Sequence, residues 1–391
     1  MSGNEETTNN MKDIESFNSG HYERISGYKY FVPNPINDEW ICKTPIINRL
    51  LEKAAIKLGE LNSFSRLVPN IDLFIQLHVT KEAVISSRIE GTQTSMDEAL
   101  LPVEEIRPEK RDDWQEVNNY IQAINQAISD LDRLPISSRL IKITHAILLN
   151  SVRGEHKMPG EYRTSQNWIG GNSLADAKYI PPQHQLVNDL MGDLESFLNN
   201  DQIDVPSLIR IAMAHYQFET IHPFLDGNGR MGRLLITLFL VKENILDKPL
   251  LYLSNYFNKD KSLYYDNLNN VRVENDMIQW IKYFLVGIEQ TSALAVNTLS
   301  EILLFKDQVE THIRSNYGRR SSSAILLIQN LFKNPFITID KAAHACGLTY
   351  KAANELVKKM CEDHYLMEIT GQSRNRNFVF TQYLNLFNKD V

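Results

Sequence analysis

The chain has 391 residues, 43% hydrophobic and 23% charged, with a formal net charge of −7. That length and composition exclude a disordered tail, a collagen-like fibre and a small disulfide scaffold, and leave room for two or three domains. The net charge argues against nucleic acid for the chain as a whole. Residues 319 to 391, however, hold ten Lys or Arg against six Asp or Glu.

Residues 1–20 are rich in Asn, Glu, Ser and Thr, and predict a flexible arm with too little apolar material to fold. No apolar signal segment or membrane-length run is present, and Cys42, Cys346 and Cys361 match no zinc or redox spacing. These features predict a cytoplasmic protein. Tyr28, Tyr30 and Phe31, followed by Pro33 and Pro35, predict extended or turn structure.

From about 44 to 150 the pattern is helical. Ile46, Leu50, Leu51, Ala54 and Leu58 recur at spacings of three and four, and so do Ile71, Phe74, Ile75 and His78. The latter helix runs on to Arg88, with Gly91 as its stop. Further helices are predicted over about 113–130 and 137–150. Residues 154–183 carry repeated Gly and Pro between aromatics, and predict a long loop with a short hairpin. Helices resume over about 185–198, 206–220, 229–243 and 259–271, and from 277 towards 315. The run 317–323 is polar and predicts a linker. Beyond it, three short helices and two strands separated by a polar loop give a winged helix-turn-helix pattern.

Chemistry concentrates in His222-Pro-Phe-Leu-Asp-Gly-Asn-Gly-Arg-Met-Gly-Arg233. Gly227 and Gly229 permit a tight turn that feeds an apolar helix, and free amides at such a helix start cradle phosphate. Arg230 and Arg233 add two permanent charges at i and i+3. Asp226 supplies the hard oxygen that magnesium takes beside phosphates. His222 can accept a proton near neutral pH. Together these are parts for phosphoryl or nucleotidyl transfer. Gly227 to Gly232 also fits G-x-G-x-x-G, but it follows a helical segment and lacks the later acidic residue, so a dinucleotide fold is rejected. Arg233 and Leu234 stand where a P-loop would need Lys and Ser or Thr.

The twelve residues resemble the Fic signature, H-P-F-x-[DE]-G-N-G-R-x-x-R, at every defined position. Asp113 to Tyr120, Pro159 to Arg163 with Trp168 to Gly171, and Tyr28 to Pro35 resemble flanking parts of that family. The resemblance implies an all-α Fic-type helical core with a short β-hairpin flap. It implies AMP transfer from ATP to a Ser, Thr or Tyr hydroxyl of a target protein or of the chain itself, with pyrophosphate leaving. His222 would take the hydroxyl proton and Asp226 would hold Mg²⁺. Asn228 and the amides from Gly227 to Gly229 would form the anion hole. Arg230 and Arg233 would contact the β- and γ-phosphates. The loop from about Ile169 to Tyr179 would pair with an extended target. Retention of Gly229 disfavours a phosphoryl-transferring relative.

Upstream, Ser86-Ser-Arg-Ile-Glu90-Gly91 resembles the family's inhibitory motif, which implies a pairing of Glu90 with Arg233 and places Ser86 in the same inhibitory helix. The resemblance also suggests a homodimer, and leaves open reverse removal of AMP. The expected domains are the arm 1–20, an N-terminal helical region 21–110 with the inhibitory helix, a catalytic core 111–318, and the winged helix 319–391. In the last, Tyr350, Lys351, Asn354, Lys358, Lys359, Arg374 and Arg376 suit phosphate and base contacts. DNA is therefore a candidate partner, alongside protein docking. The alternative function is a DNA-binding regulator whose Fic domain senses nucleotide or modifies only itself.

Overall fold

The computed structural model describes residues 11–25, 27–68, 71–150, 155–371 and 376–388. Residues 1–10 of the expected arm, Gly154 of the expected loop and Arg374 of the expected wing lie outside them.

The chain opens with β1 (Lys12–Asp13), which pairs in parallel with β4 (Trp40–Ile41). Between them, β2 (Gly20–Ile25) and β3 (Tyr28–Pro33) form an antiparallel hairpin in the register Gly20↔Pro33 to Ile25↔Tyr28. Residues 11–20 are thus ordered, which corrects the expected arm. Ile14 and Phe17 are buried, and the Phe17 ring packs 5.3 Å from Trp40. Two apolar side chains in a polar stretch were enough to seat it.

Helices dominate the rest of the body. They are α1 (Pro45–Leu67), α2 (Asp72–Ile89), α3 (Met96–Leu100), α4 (Arg111–Asp130), α5 (Ser138–Leu148), α6 (Val187–Asn199), α7 (Ser207–Ile221) and α8 (Asn228–Lys242). Then come α9 (Ser254–Lys259), α10 (Lys261–Glu274) and α11 (Met277–Asn316). Several starts are capped as their residues dictate: Ser95 makes a capping box with Glu98, and Ser137 and Asp276 accept amides of the first turn. α7 and α8 are buried on nearly every face and form the centre of the core. Trp280 of α11 is fully buried and donates its indole N–H to the Ala212 carbonyl of α7 at 2.8 Å.

The C-terminal part comprises α12 (Ser321–Lys333), β5 (Phe336–Thr338), α13 (Ile339–Cys346), α14 (Tyr350–Glu362), β6 (Met367–Glu368), β7 (Asn377–Val379) and α15 (Thr381–Asn388). The expected two-stranded wing gains a third strand, in the order β5-β7-β6, and a closing helix. The expected linker is absent too. Tyr317 is buried, and a 3-10 turn over Gly318–Arg320 leads straight into α12. The serines there are the outward face of a first helical turn, not a spacer. The apolar core runs without a break from the body into these helices. No helix among the described residues is long and apolar enough to cross a membrane.

Candidate active site

α7 stops because His222 adopts a left-handed conformation, φ 50° and ψ 60°, with its amide still donating to the Phe218 carbonyl at 2.9 Å. A non-glycine residue there is uncommon and turns the chain sharply into the loop that follows. The loop is closed by Asn228. Its carboxamide accepts from the Phe224 amide at 2.8 Å and donates to the Phe224 carbonyl at 2.9 Å. Gly227 is also left-handed, φ 75°, and caps the start of α8. The amides of the first helical turn have no intrahelical acceptor, so the turn offers donors and the positive dipole end to an anion. The Asn228 side chain therefore builds the cradle from behind, and the backbone is what faces an anion.

Three residues from elsewhere in the chain fix this loop. His145 of α5 stacks on Phe224 with ring centres 3.6 Å apart. Its Nδ1 accepts from the Gly160 amide, so its Nε2–H donates to the Asp226 carbonyl, both at 2.9 Å. That assigns one neutral tautomer, and burial holds the imidazole down to about 4. Arg163, fully buried, donates to the carbonyls of His222 at 3.0 Å, Ser165 at 3.2 Å and Pro182. Asn167 donates to the Phe224 carbonyl at 2.9 Å. A contact to a main-chain carbonyl leaves no pattern in the partner's sequence, which is why these anchoring roles are silent there.

The His222 imidazole is pushed down to about 3, first by burial and then by the positive charges of Arg163 and Arg272. It is neutral across the physiological range and so able to accept a proton. A polyphosphate in the cleft would raise it again by charge alone. Asp226 stands at the lip with its side chain about half exposed, and its Oδ1 accepts from the Gly227 amide at 2.6 Å. Among the described residues no group of three or more His, Cys, Asp or Glu could hold a metal. A divalent cation here would thus be shared between Asp226 and a bound phosphate, which fits a hard carboxylate beside an anion cradle.

The two motif arginines diverge. Arg230 is buried, with its guanidinium 3.7 Å from Glu116 and 3.8 Å from Asp226. Arg233 points the other way, to the last turn of α2. Its Nε donates to Ser86 Oγ at 2.8 Å, and its Nη2 donates to the Ser86 carbonyl at 2.9 Å and to Glu90 Oε1 at 2.7 Å. Burial favours neutral forms of both partners. Their mutual attraction wins, holding the Glu90 carboxyl below its usual range and the Arg233 guanidinium above its own. A Cβ on Gly229 would sit 2.3 Å from Glu90 Oε1, so the carboxylate lies directly on the first turn of α8. Gly91, φ +106°, ends α2 just after it.

A cleft of about 590 Å³ runs between the α10 face of Lys261, Tyr265 and Arg272 and the flap residues Ile169 and Lys178. The flap is a bridge between Ile169 and Tyr179, closed at its tip by Asp176 accepting the amides of Asn172 and Ser173 at 2.8 and 2.7 Å. Glu219, one turn before His222, also lines this cleft, with its carboxyl raised to about 7, mainly by burial. The fold thus brings Ser86 and Glu90 to Arg233 and the first turn of α8, and Arg230 to Asp226.

A known family matches the stretch that holds this loop. Residues 48–129 match the Fic/DOC family N-terminal region, and residues 135–240 match the Fic/DOC family. The chain is 33% identical over 144 residues to the protein adenylyltransferase Fic of Aedes aegypti, covering 37% of this chain and 26% of that one. It is 30% identical over 182 residues to a probable protein adenylyltransferase of Aquifex aeolicus (strain VF5), covering 45% and 52%. The matched stretch thus spans between a quarter and about half the length of these relatives. The fold resembles that of a Fic family protein from Desulfovibrio desulfuricans G20, with a TM-score of 0.55 at 21% identity, covering 86% of this chain and 96% of that one.

Proposed function

We propose that this Fic/DOC family protein, with its mostly helical Fic-like fold, is a protein adenylyltransferase restrained by its own α2. The observation that carries the reading is the turn between α7 and α8, where a neutral imidazole, a glycine-turn helix start and two buried arginines fall within twelve residues. In the proposed reaction a hydroxyl oxygen of a target side chain attacks the α-phosphorus of ATP. The bond from that phosphorus to the α,β-bridging oxygen breaks, and pyrophosphate leaves. The hydroxyl proton passes to the neutral imidazole of His222. The amides at the start of α8 would hold the phosphates, with Arg230 on the β-phosphate and Arg233 on the γ-phosphate. Asp226 would hold Mg²⁺ when nucleotide binds, and the ion would neutralise phosphate charge. The free edge of the flap would take an extended segment of the target as an added strand.

Glu90 supplies the restraint. Its carboxylate satisfies the guanidinium that the γ-phosphate would need and lies against the turn where phosphate would rest. ATP would then bind out of line for attack, and misalignment alone is costly.

The DNA-regulator alternative draws less support. Part of the basic set expected to contact DNA is paired within the protein: Lys359 with Asp363 at 3.6 Å, Lys358 with Glu362 at 3.9 Å, and Arg376 with Asn354 at 2.6 Å. The discriminating experiment incubates the Glu90→Gly variant with ATP labelled on either the α- or the γ-phosphate. Protein-bound label from the α position alone supports adenylyl transfer. Label from the γ position alone would mean phosphoryl transfer, and label from neither would contradict both.

A further inference from the structure

α2 is not a surface helix laid across the cleft. It is 18 residues long, and most of its described side chains are buried, including Thr80, Glu82, Ser86 and Ser87. Glu82 accepts hydrogen bonds from Tyr120 of α4 at 3.0 Å and from Ser254 of α9, which fixes the middle of the helix to the body. The first half is held by a different partner. Phe74 packs edge-on against Phe332 of α12, ring centres 5.6 Å apart. His78 packs edge-on against Phe387 of α15 at 5.4 Å. Lys81 Nζ donates to the Phe387 carbonyl at 2.7 Å.

Phe74, His78 and Lys81 follow at spacings of four and three, so they form one face of α2. The Phe387 carbonyl lies in the last turn of α15, where carbonyls lack intrahelical donors and a cation is favoured. Lys81 therefore caps α15 from α2. Nine residues on, about half a turn round the axis and about 14 Å along it, Glu90 meets Arg233. One helix thus touches the C-terminal part on one face and the phosphate-binding arginine on the other. A second tie holds the same part of the molecule, since the Asn377 side chain of β7 donates to both carboxylate oxygens of Glu105, at 2.9 and 2.7 Å.

We propose that the C-terminal helices α12 and α15 clamp α2 in its inhibitory seat, with Lys81 and Phe387 as positioning residues for Glu90. The inference rests on the reading that Glu90 restrains AMP transfer. Arg233 is held by the Ser86 carbonyl as well as by Glu90, so it binds main chain of α2 and not only a movable side chain. Freeing the arginine needs the last turn of α2 to yield, and a helix anchored along its length yields less readily. Loosening the C-terminal contacts lowers that resistance. The C-terminal part becomes the handle through which a binding partner would release the enzyme.

The test uses the full chain carrying Lys81→Ala, Phe387→Ala or Lys81→Arg, each with and without Glu90→Gly. The clamp predicts faster hydrogen exchange at the amides of residues 86–92 in both alanine variants. It predicts a rise in self-labelling from ATP of about two- to tenfold in Lys81→Ala, the factor one hydrogen bond commands, and a rise in Phe387→Ala, which keeps that carbonyl but loses the ring against His78. Lys81→Arg keeps the wild-type level, and none of the three raises activity further in the Glu90→Gly background. Unchanged exchange at 86–92 in both alanine variants overturns the clamp, as does an equal rise in activity when Glu90 is already absent. If Glu90→Gly alone fails to activate, the restraint reading falls, and the exchange measurement still decides whether the C-terminal helices hold α2.

Discussion

The carboxylate of Glu90 lies 2.7 Å from the guanidinium of Arg233, joining the end of α2 to the second turn of α8 across 143 positions of sequence. The pair is asymmetric. The Arg233 side chain is almost fully buried, and that of Glu90 is about one-third exposed. The acid can reach solvent on leaving, whereas the arginine left behind is buried and needs another anion in its place.

Replacing His222 with Ala removes the proposed proton acceptor and leaves the Asn228 and Gly227 turn in place. In the Glu90→Gly background the chemical step should slow by about two to four orders of magnitude, the usual contribution of a positioned base. ATP affinity, measured by calorimetry, should change little. A large loss of affinity with no loss of turnover would remove His222 from the proton-transfer role.

His145 is a positioning residue, and its loss should show differently. His145→Ala deletes the hydrogen bonds to Gly160 and Asp226 and the stack on Phe224, so the loop loses its anchor. Turnover in the Glu90→Gly background should fall by about tenfold, the size of a lost buried hydrogen bond or two. The ATP and magnesium concentrations at half-maximal rate should rise together. His145→Gln, which can still donate to the Asp226 carbonyl, should recover part of the rate. Equal loss in both variants would assign the effect to packing alone.

Gly232 permits the close approach of α7 and α8, because a Cβ there would lie 2.2 Å from Glu219 Oε1. Gly232→Ala should destabilise the fold by about 1–3 kcal/mol, as overpacking of a core does. A thermal melt reads this as a lowered midpoint. Gly59→Ala is the control, since nothing lies within 4 Å of a Cβ at that position. An unchanged midpoint in Gly232→Ala would mean that Glu219 swings aside freely.

Stability should peak near neutral pH. Burial lowers His78, His215 and His222 to about 3 and His145 to about 4. On acidification from about 6.5, the unfolded chain takes up protons that these folded imidazoles refuse, so stability falls as pH drops toward 4. Burial raises Glu82 and Glu219 to about 7. Their contribution is full below about 4.5 and is lost as pH rises through 7. Four histidines outweigh two acids on the acid side, and the acids alone act on the other. Melting midpoints should therefore decline steeply below pH 6 and gently above pH 7. A midpoint that rises on acidification from 6.5 to 5 would contradict these burial effects.

What the sequence shows follows the range of the interactions. The loop from His222 to Arg233 is legible because it is local, with every cradle element inside twelve consecutive residues. Helix periods in α1, α2 and α4 are legible for the same reason. The anchoring roles of His145 and Arg163 are not, although Arg163 ends a segment that resembles the family, because they bind carbonyls about sixty to eighty positions away. The polar run at 317–323 reads as a linker because composition does not reveal that Tyr317 is buried and that Ser321 to Ser323 start a helix. β5 is missed because its three residues, Phe336 to Thr338, gain strand character only by pairing with β7. The sequence proposes Asn228 for the anion hole, and only the structure shows that its side chain is spent on the Phe224 main chain.

The most direct test compares incorporation of α-labelled ATP by the wild-type chain and by Glu90→Gly, at equal protein and magnesium. Losing one charge-assisted hydrogen bond from the restraint should raise self-labelling by about tenfold or more. Labelling should then depend on His222, vanishing in the double variant with His222→Ala. Equal labelling of the wild type, Glu90→Gly and the double variant would contradict both the catalytic role of His222 and the restraint by Glu90.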